Sequence, residues 1–132
     1  MLPSWSRDGP SGGSSTSGTI FAIVFLASDA NCGTYAYKTT NATSTSPKWV
    51  DVGPSDDVPF DVVEVDPRNP SLVYAGSDSG LWVSGDTGAT WQKVGPDRGL
   101  AYAPVYDIKI NPATNLTVVF THGRGAFKLA PG

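Results

Sequence analysis

Cysteine, histidine and glutamate each occur once in this 132-residue chain, as Cys32, His122 and Glu64. A single cysteine excludes an internal disulfide and a cysteine metal cluster, and with one histidine any metal site would have to be built from oxygen ligands. Long apolar runs are missing too. The longest, Ile20 to Ala27, falls far short of the roughly 20 residues that span a bilayer, so no membrane insertion is expected. Met1 to Gly18 has neither the charged start nor the apolar centre of a signal peptide. Basic excess is absent as well: nine Lys and Arg stand against twelve Asp and Glu, for a net charge of -3. The cations are scattered singly, which gives no electrostatic footprint for nucleic acid or an anionic surface.

What the chain does have is turn formers and apolar residues. Gly and Pro number 15 and 11. They cost about 1 and 3 kcal/mol in a helix interior, and aspartate, which supplies all the acidic residues but Glu64, prefers turns and caps. Helix bundles are therefore disfavoured and short strands with many turns expected. With 39% hydrophobic and 11% aromatic residues, there is material for one packed core.

The chain repeats itself. Trp49-Val50-Asp51-Val52-Gly53-Pro54 recurs 42 residues on as Trp91-Gln92-Lys93-Val94-Gly95-Pro96, and Val62 to Pro67 recurs 45 residues on as Asp107 to Pro112. Val73, Gly80 and Trp82 fall on Val118, Gly125 and Phe127 at that same shift of 45. Alternating apolar and polar residues closed by Gly or Pro read as strands. The best unit gives Asp61 to Asp66, Ser71 to Ser77, Gly80 to Ser84 and Trp91 to Gly95. Four short antiparallel strands per unit of this length form a propeller blade. The first unit, Thr19 to Ala27, Thr34 to Thr39 and Lys48 to Val52, lacks an innermost strand. The last, Val105 to Asn111, Leu116 to Thr121 and Ala126 to Leu129, lacks a fourth. The expected architecture is all-β: about two and a half to three blades of four-stranded antiparallel sheet (19–53, 54–95, 96–130) in an incomplete ring, after a Gly/Ser-rich flexible segment at 1–18.

Residues 84 to 91 read Ser84-Gly85-Asp86-Thr87-Gly88-Ala89-Thr90-Trp91. This Ser-x-Asp-x-Gly-x-Thr-Trp turn resembles the Asp-box, or bacterial neuraminidase repeat, family of β-propellers, and it sits at the third-to-fourth strand connection as in that family. Asp86 can accept hydrogen bonds from turn amides, Gly88 can take a positive φ, and Trp91 can pack between sheets. Ser84, Asp86, Gly88, Thr90 and Trp91 are thus read as a structural turn rather than a ligand or calcium site. A degraded copy, Lys38-Thr39-Thr40-Asn41, precedes Trp49, with Asn41 where an aspartate would stand. The ending Thr121 to Leu129 looks like the final blade of large secreted bacterial repeat proteins. The resemblance implies an extracellular or cell-surface setting, and a closed ring of about four to eight blades implies that further blades or self-association complete it.

Strand parity sorts the loops. The Asp box lies on one end of the sheets. The opposite end carries the loops Asp29 to Gly33, Gly53 to Pro59, Ser77 to Gly80, Gly95 to Pro104 and His122 to Gly125, where the resemblance places ligands. The candidate ligand-binding residues there are Asp78, Asp97, Arg98, Tyr102, His122 and Arg124, with Asp56 and Asp57 beside them. No cofactor or catalytic residue is assigned. A sialidase needs an arginine triad and a tyrosine nucleophile, and the four arginines, Arg7, Arg68, Arg98 and Arg124, do not supply the triad; the family's Phe/Tyr-Arg-Ile-Pro motif is also missing. A xyloglucanase-type hydrolase would use two carboxylates, and no aspartate pair is marked out by its environment. The expected role is a non-catalytic scaffold binding a carbohydrate or a protein, with a glycoside hydrolase fragment and a purely architectural repeat as alternatives.

Overall fold

The computed structural model describes residues 19–27, 32–54 and 59–129. The segment 1–18 and the candidates Asp56 and Asp57 lie outside the described residues. The protein is all-β, with three antiparallel sheets in sequence order. The first contains β1 (Ile20–Ala27), β2 (Cys32–Thr39) and β3 (Val50–Asp51); the second contains β4 (Phe60–Val65), β5 (Val73–Ser77), β6 (Gly80–Ser84) and β7 (Gln92–Val94). A 3-10 turn at Pro96–Arg98 leads into the third, β8 (Val105–Asn111), β9 (Leu116–Thr121) and β10 (Ala126–Leu129). Every sheet is a meander of sequence neighbours. β4 lies beside β1 on one side and β8 on the other.

The repeat is visible in the hydrogen bonds. The ladder β4–β5 is irregular between Phe60 and Val62, and β8–β9 is irregular at the matching place, between Val105 and Asp107. Such bulges bend a strand and re-aim one side chain, here Asp61 and Tyr106. The turns after these strands also match. Asp66 Oδ1 accepts from the amides of Arg68 (2.8 Å) and Asn69 (3.2 Å), and Asn111 Oδ1 accepts from Ala113 (2.9 Å) and Thr114 (3.3 Å). A short polar side chain followed by proline makes the same turn twice.

The structure corrects one alignment. Val65 faces Val73, but its counterpart Ile110 faces Thr117, so Val73 corresponds to Thr117 and not to Val118. The shift is 44 along β9 and returns to 45 in β10, where Phe127 faces Val119 as Trp82 faces Ala75. The extra residue is absorbed in the turn His122 to Gly125, which is longer than Asp78-Ser79 and takes positive φ at Gly123 (83°) and Gly125 (79°).

Two apolar cores fill the spaces between neighbouring sheets. Leu81, Val94, Leu100, Val105, Ile108 and Val119 pack between the second and third; Phe21, Val65 and Val73, joined by Val52, Val63 and Trp91, pack between the first and second. Each fully buried side chain of this kind contributes about 1.5–3 kcal/mol. At Gly76 the sheets approach so closely that a Cβ would stand 2.6 Å from Val105 Cγ1 and 2.7 Å from the Val105 carbonyl oxygen.

Candidate functional site

The Asp box is a closed local network. Ser84 Oγ donates to Asp86 Oδ1 (2.7 Å) and accepts from the amides of Gly88 (2.8 Å) and Asp86 (3.3 Å). Asp86 also accepts from the Thr90 amide (2.8 Å) and the Thr90 hydroxyl (2.5 Å). The Thr90 hydroxyl, followed by the Thr90 amide and Ser84, holds the Asp86 carboxyl down at about 2. Thr87 as well as Gly88 has positive φ, 62° and 86°; the second non-standard residue was not expected from the sequence. The turn is tied outward by the Thr87 amide to Ser71 O (2.9 Å) and by Lys38 Nζ to Thr87 O (2.9 Å). Trp91 crosses to the first sheet, where its indole N–H donates to Val52 O (2.6 Å). With its oxygens taken up by the turn, Asp86 acts as a staple. Among the described residues, no group of three His, Cys, Asp or Glu is placed to hold a metal ion.

The degraded box has the same skeleton. Thr39 Oγ1 donates to Asn41 Oδ1 (2.9 Å) and accepts from the Asn41 amide (3.3 Å), while the Lys48 amide donates to Asn41 Oδ1 (3.0 Å). Thr39, Asn41 and Lys48 therefore stand where Ser84, Asp86 and Thr90 stand, across a longer loop.

At the opposite end, the Asp78 amide donates to Pro59 O (3.0 Å) and the His122 amide to Pro104 O (2.9 Å). Each bond ties the turn after a sheet's second strand to the residue entering its first strand, so the bulged residue and the turn residue become neighbours. In the second sheet they are Asp61 and Asp78, whose carboxyls influence each other; in the third they are Tyr106 and His122, with rings 5.4 Å apart and tilted by 51°. Partial burial, then the hydrogen bond and charge of Asp78, raise the Asp61 carboxyl to about 6. Keeping its proton up to about pH 6 delays the placing of two negative charges side by side.

Tyr102 extends this face. It is 59% exposed, and its hydroxyl lies over Gly95, where a Cβ would meet it at 2.5 Å, so a larger residue at 95 would push the ring aside. Lys93 Nζ lies 5.2 Å from the Tyr102 ring centre and 5.4 Å from that of Trp82, and donates to Ser79 Oγ at 3.0 Å, a cation held between two aromatic faces. Leu100, fully buried, anchors the loop.

Of the sequence candidates, Asp78, Tyr102 and His122 thus join this network, and Arg124 is exposed on the glycine-flanked turn beside His122. Asp97 is exposed in the 3-10 turn. Arg98 lines a cavity between the second and third sheets with Tyr74, Val83, Val94, Lys128 and Leu129. Asp61 and Tyr106 were missed because strand parity treats them as ordinary strand residues; the bulge that turns them out leaves no composition signal. A separate groove of about 420 Å³ lies between Asp51 to Pro54 and the Asp-box turn, walled by Trp82 and Trp91. The Trp82 indole N–H is buried without a hydrogen-bond partner. No protein-family model matches the chain, and no curated protein matches it.

Proposed function

We propose that the three sheets are successive blades of an Asp-box β-propeller and that the chain is a non-catalytic scaffold whose loop face binds a carbohydrate outside the cell. The box geometry formed by Ser84, Asp86 and Thr90 and repeated by Thr39, Asn41 and Lys48 supports the family reading, together with paired bulges and inner strands lying side by side. The observation that carries the functional reading is the loop face itself. Tyr102 and Tyr106, 59% and 50% exposed, offer flat apolar rings, and Asp78, His122 and Arg124 around them offer donors and acceptors for hydroxyl groups. Sugars combine the same two chemistries, C–H faces and rims of hydroxyls.

The carboxylate pair on this face argues against a hydrolase. Glycosidases hold their two carboxyls roughly 5–9.5 Å apart to leave room for the sugar and water, whereas Asp78 lies close enough to Asp61 to raise its carboxyl. Their pairing is better suited to holding one proton than to dividing acid and base roles across a bond.

Glycan-array binding by the intact chain tests this. Tyr102→Ala, Tyr106→Ala and Arg124→Ala should each weaken the strongest glycan signal at least tenfold, with an unchanged circular dichroism spectrum. Binding that survives all three changes but is lost in Trp82→Ala would move the site to the groove beside the Asp box and refute the loop-face assignment.

A further inference from the structure

Tyr102 stands exposed on the loop face, yet the backbone that carries it is fixed on both sides. Leu100, two residues before it, is fully buried, and its amide donates to Gly95 O at 3.3 Å. Ala103, next after it, is buried as well, and Pro104 O accepts from the His122 amide at 2.9 Å. The core therefore holds the loop. The ring still turns about two side-chain torsions, and holding it in one orientation takes a restraint of its own.

Three neighbours surround the ring. Its hydroxyl end lies over Gly95, where a Cβ would stand 2.5 Å from the hydroxyl oxygen and 2.9 Å from Cζ. Its Cδ1 edge lies by Gly80, where a Cβ would stand 3.8 Å away. Both positions lack a side chain, so they form a seat that receives the ring without gripping it. The third neighbour is Lys93, whose Nζ is 5.2 Å from the Tyr102 ring centre.

That ammonium is anchored in turn to regular structure. Lys93 faces Trp82 across the β6–β7 ladder and lies 5.4 Å from its ring centre, and it donates to Ser79 Oγ, in the turn that opens β6, at 3.0 Å. A group fixed by strands positions a neighbour more closely than another loop side chain can. Resting on the carbohydrate reading of the loop face, we propose that Lys93 is the positioning residue of that site. Its ammonium, anchored on Trp82 and Ser79, holds the Tyr102 ring down on Gly80 and Gly95 and leaves the opposite ring face outward for the C–H face of a sugar. Lys93 acts through Tyr102 and not by touching the sugar. When the ring is free to turn away, the apparent affinity falls by the fraction of time that it spends in the binding orientation. A cation–π contact at an exposed position is modest, so the effect is several-fold and not a complete loss.

Two variants displace the ring by different routes while keeping Tyr102. Lys93→Met keeps the length of an exposed side chain and removes its charge; Gly95→Ala sets a Cβ against the tyrosine hydroxyl at a residue whose φ of -130° suits any side chain. Calorimetric titration uses the glycan with the strongest array signal as a free oligosaccharide. Each variant should bind it about fivefold more weakly than the parent. Lys93→Arg, which keeps a cation between the rings, should restore binding to within about twofold. Adding Lys93→Met to Tyr102→Ala should cost nothing more. In the NMR spectrum of the ligand-free chain, nuclear Overhauser contacts of the Tyr102 ring to Gly80 and Gly95 should be present in the parent and in Lys93→Arg and lost in Lys93→Met, with the amide resonances of β4 to β6 unchanged. Parent-like binding or retained ring contacts in Lys93→Met, where Tyr102→Ala weakens binding, would overturn the proposal alone. So would a further loss in the double variant, because Lys93 would then touch the sugar itself. Tyr102→Ala that binds every array glycan as the parent does would overturn the carbohydrate reading of this face and the proposal with it.

Discussion

Glu64 offers a quantitative test of the packing between β4 and β8. It is 6% exposed, and its Oε1 has no hydrogen-bond partner. Burial raises the carboxyl from its ordinary 4.5 to about 7; Lys109 opposes the shift and Asp107 adds to it. A folded-state value above the unfolded one means that the fold prefers the protonated form. Stability from this site is therefore complete at pH 4.5 and below, and is lost as pH rises to about 7. At ~1.4 kcal/mol per tenfold change in proton affinity, the full shift bounds the loss at ~3 kcal/mol. Lys109 and Asp107, an exposed pair 3.5 Å apart, keep water nearby, and screening brings the figure to ~2 kcal/mol. Glu64→Gln should therefore be more stable than the parent by ~2 kcal/mol at pH 8 and nearly equal to it at pH 4.5. Urea unfolding followed by tryptophan fluorescence from pH 4 to pH 8 measures both. Parallel curves for the two proteins would refute the burial of Glu64 between these strands.

Asp61→Asn should flatten stability between its ordinary 3.8 and about 6, again raising stability on the alkaline side, where the parent carboxyl must ionise against the preference of the fold. Asp86 works in the opposite direction: its carboxyl is depressed to about 2, so its contribution is present above pH 3.8 and disappears as pH falls through 2, a loss that Asp86→Asn should abolish in acid titrations. Ser84→Ala leaves the buried Gly88 amide unpaired and should cost about 1–3 kcal/mol in urea unfolding. Gly76→Ala forces a Cβ against the Val105 side chain and carbonyl and should cost about 2–3 kcal/mol; a neutral result would mean that the second and third sheets do not approach as described.

The elements that could be read from the sequence are those whose chemistry is local. The Asp box needs only Ser84, Asp86, Gly88 and Thr90 in register, and Asp66-Pro67 and Asn111-Pro112 form turns with their own side chains. The degraded box could be found from Asn41 for the same reason. Features set by the register between strands were not legible. Nothing in the composition marks Asp61 and Tyr106 as bulge residues, so the contacts of Asp61 with Asp78 and of Tyr106 with His122 emerge only from the ladders. The one-residue change in shift along β9 was hidden because Thr117, Val118 and Val119 are all strand formers. Arg98 was assigned to the loop face from its neighbours in sequence; the geometry of the 3-10 turn instead puts it in the cavity between sheets.

The central claim is that neighbouring sheets pack face to face, with Trp91 of the second sheet fastened to Val52 at the end of the first. The most direct measurement is the Trp91 indole N–H resonance in an NMR spectrum of the folded chain. A slowly exchanging proton with nuclear Overhauser contacts to Val52 and Phe21 is the predicted result. A rapidly exchanging indole with contacts only within residues 84–94 would contradict it.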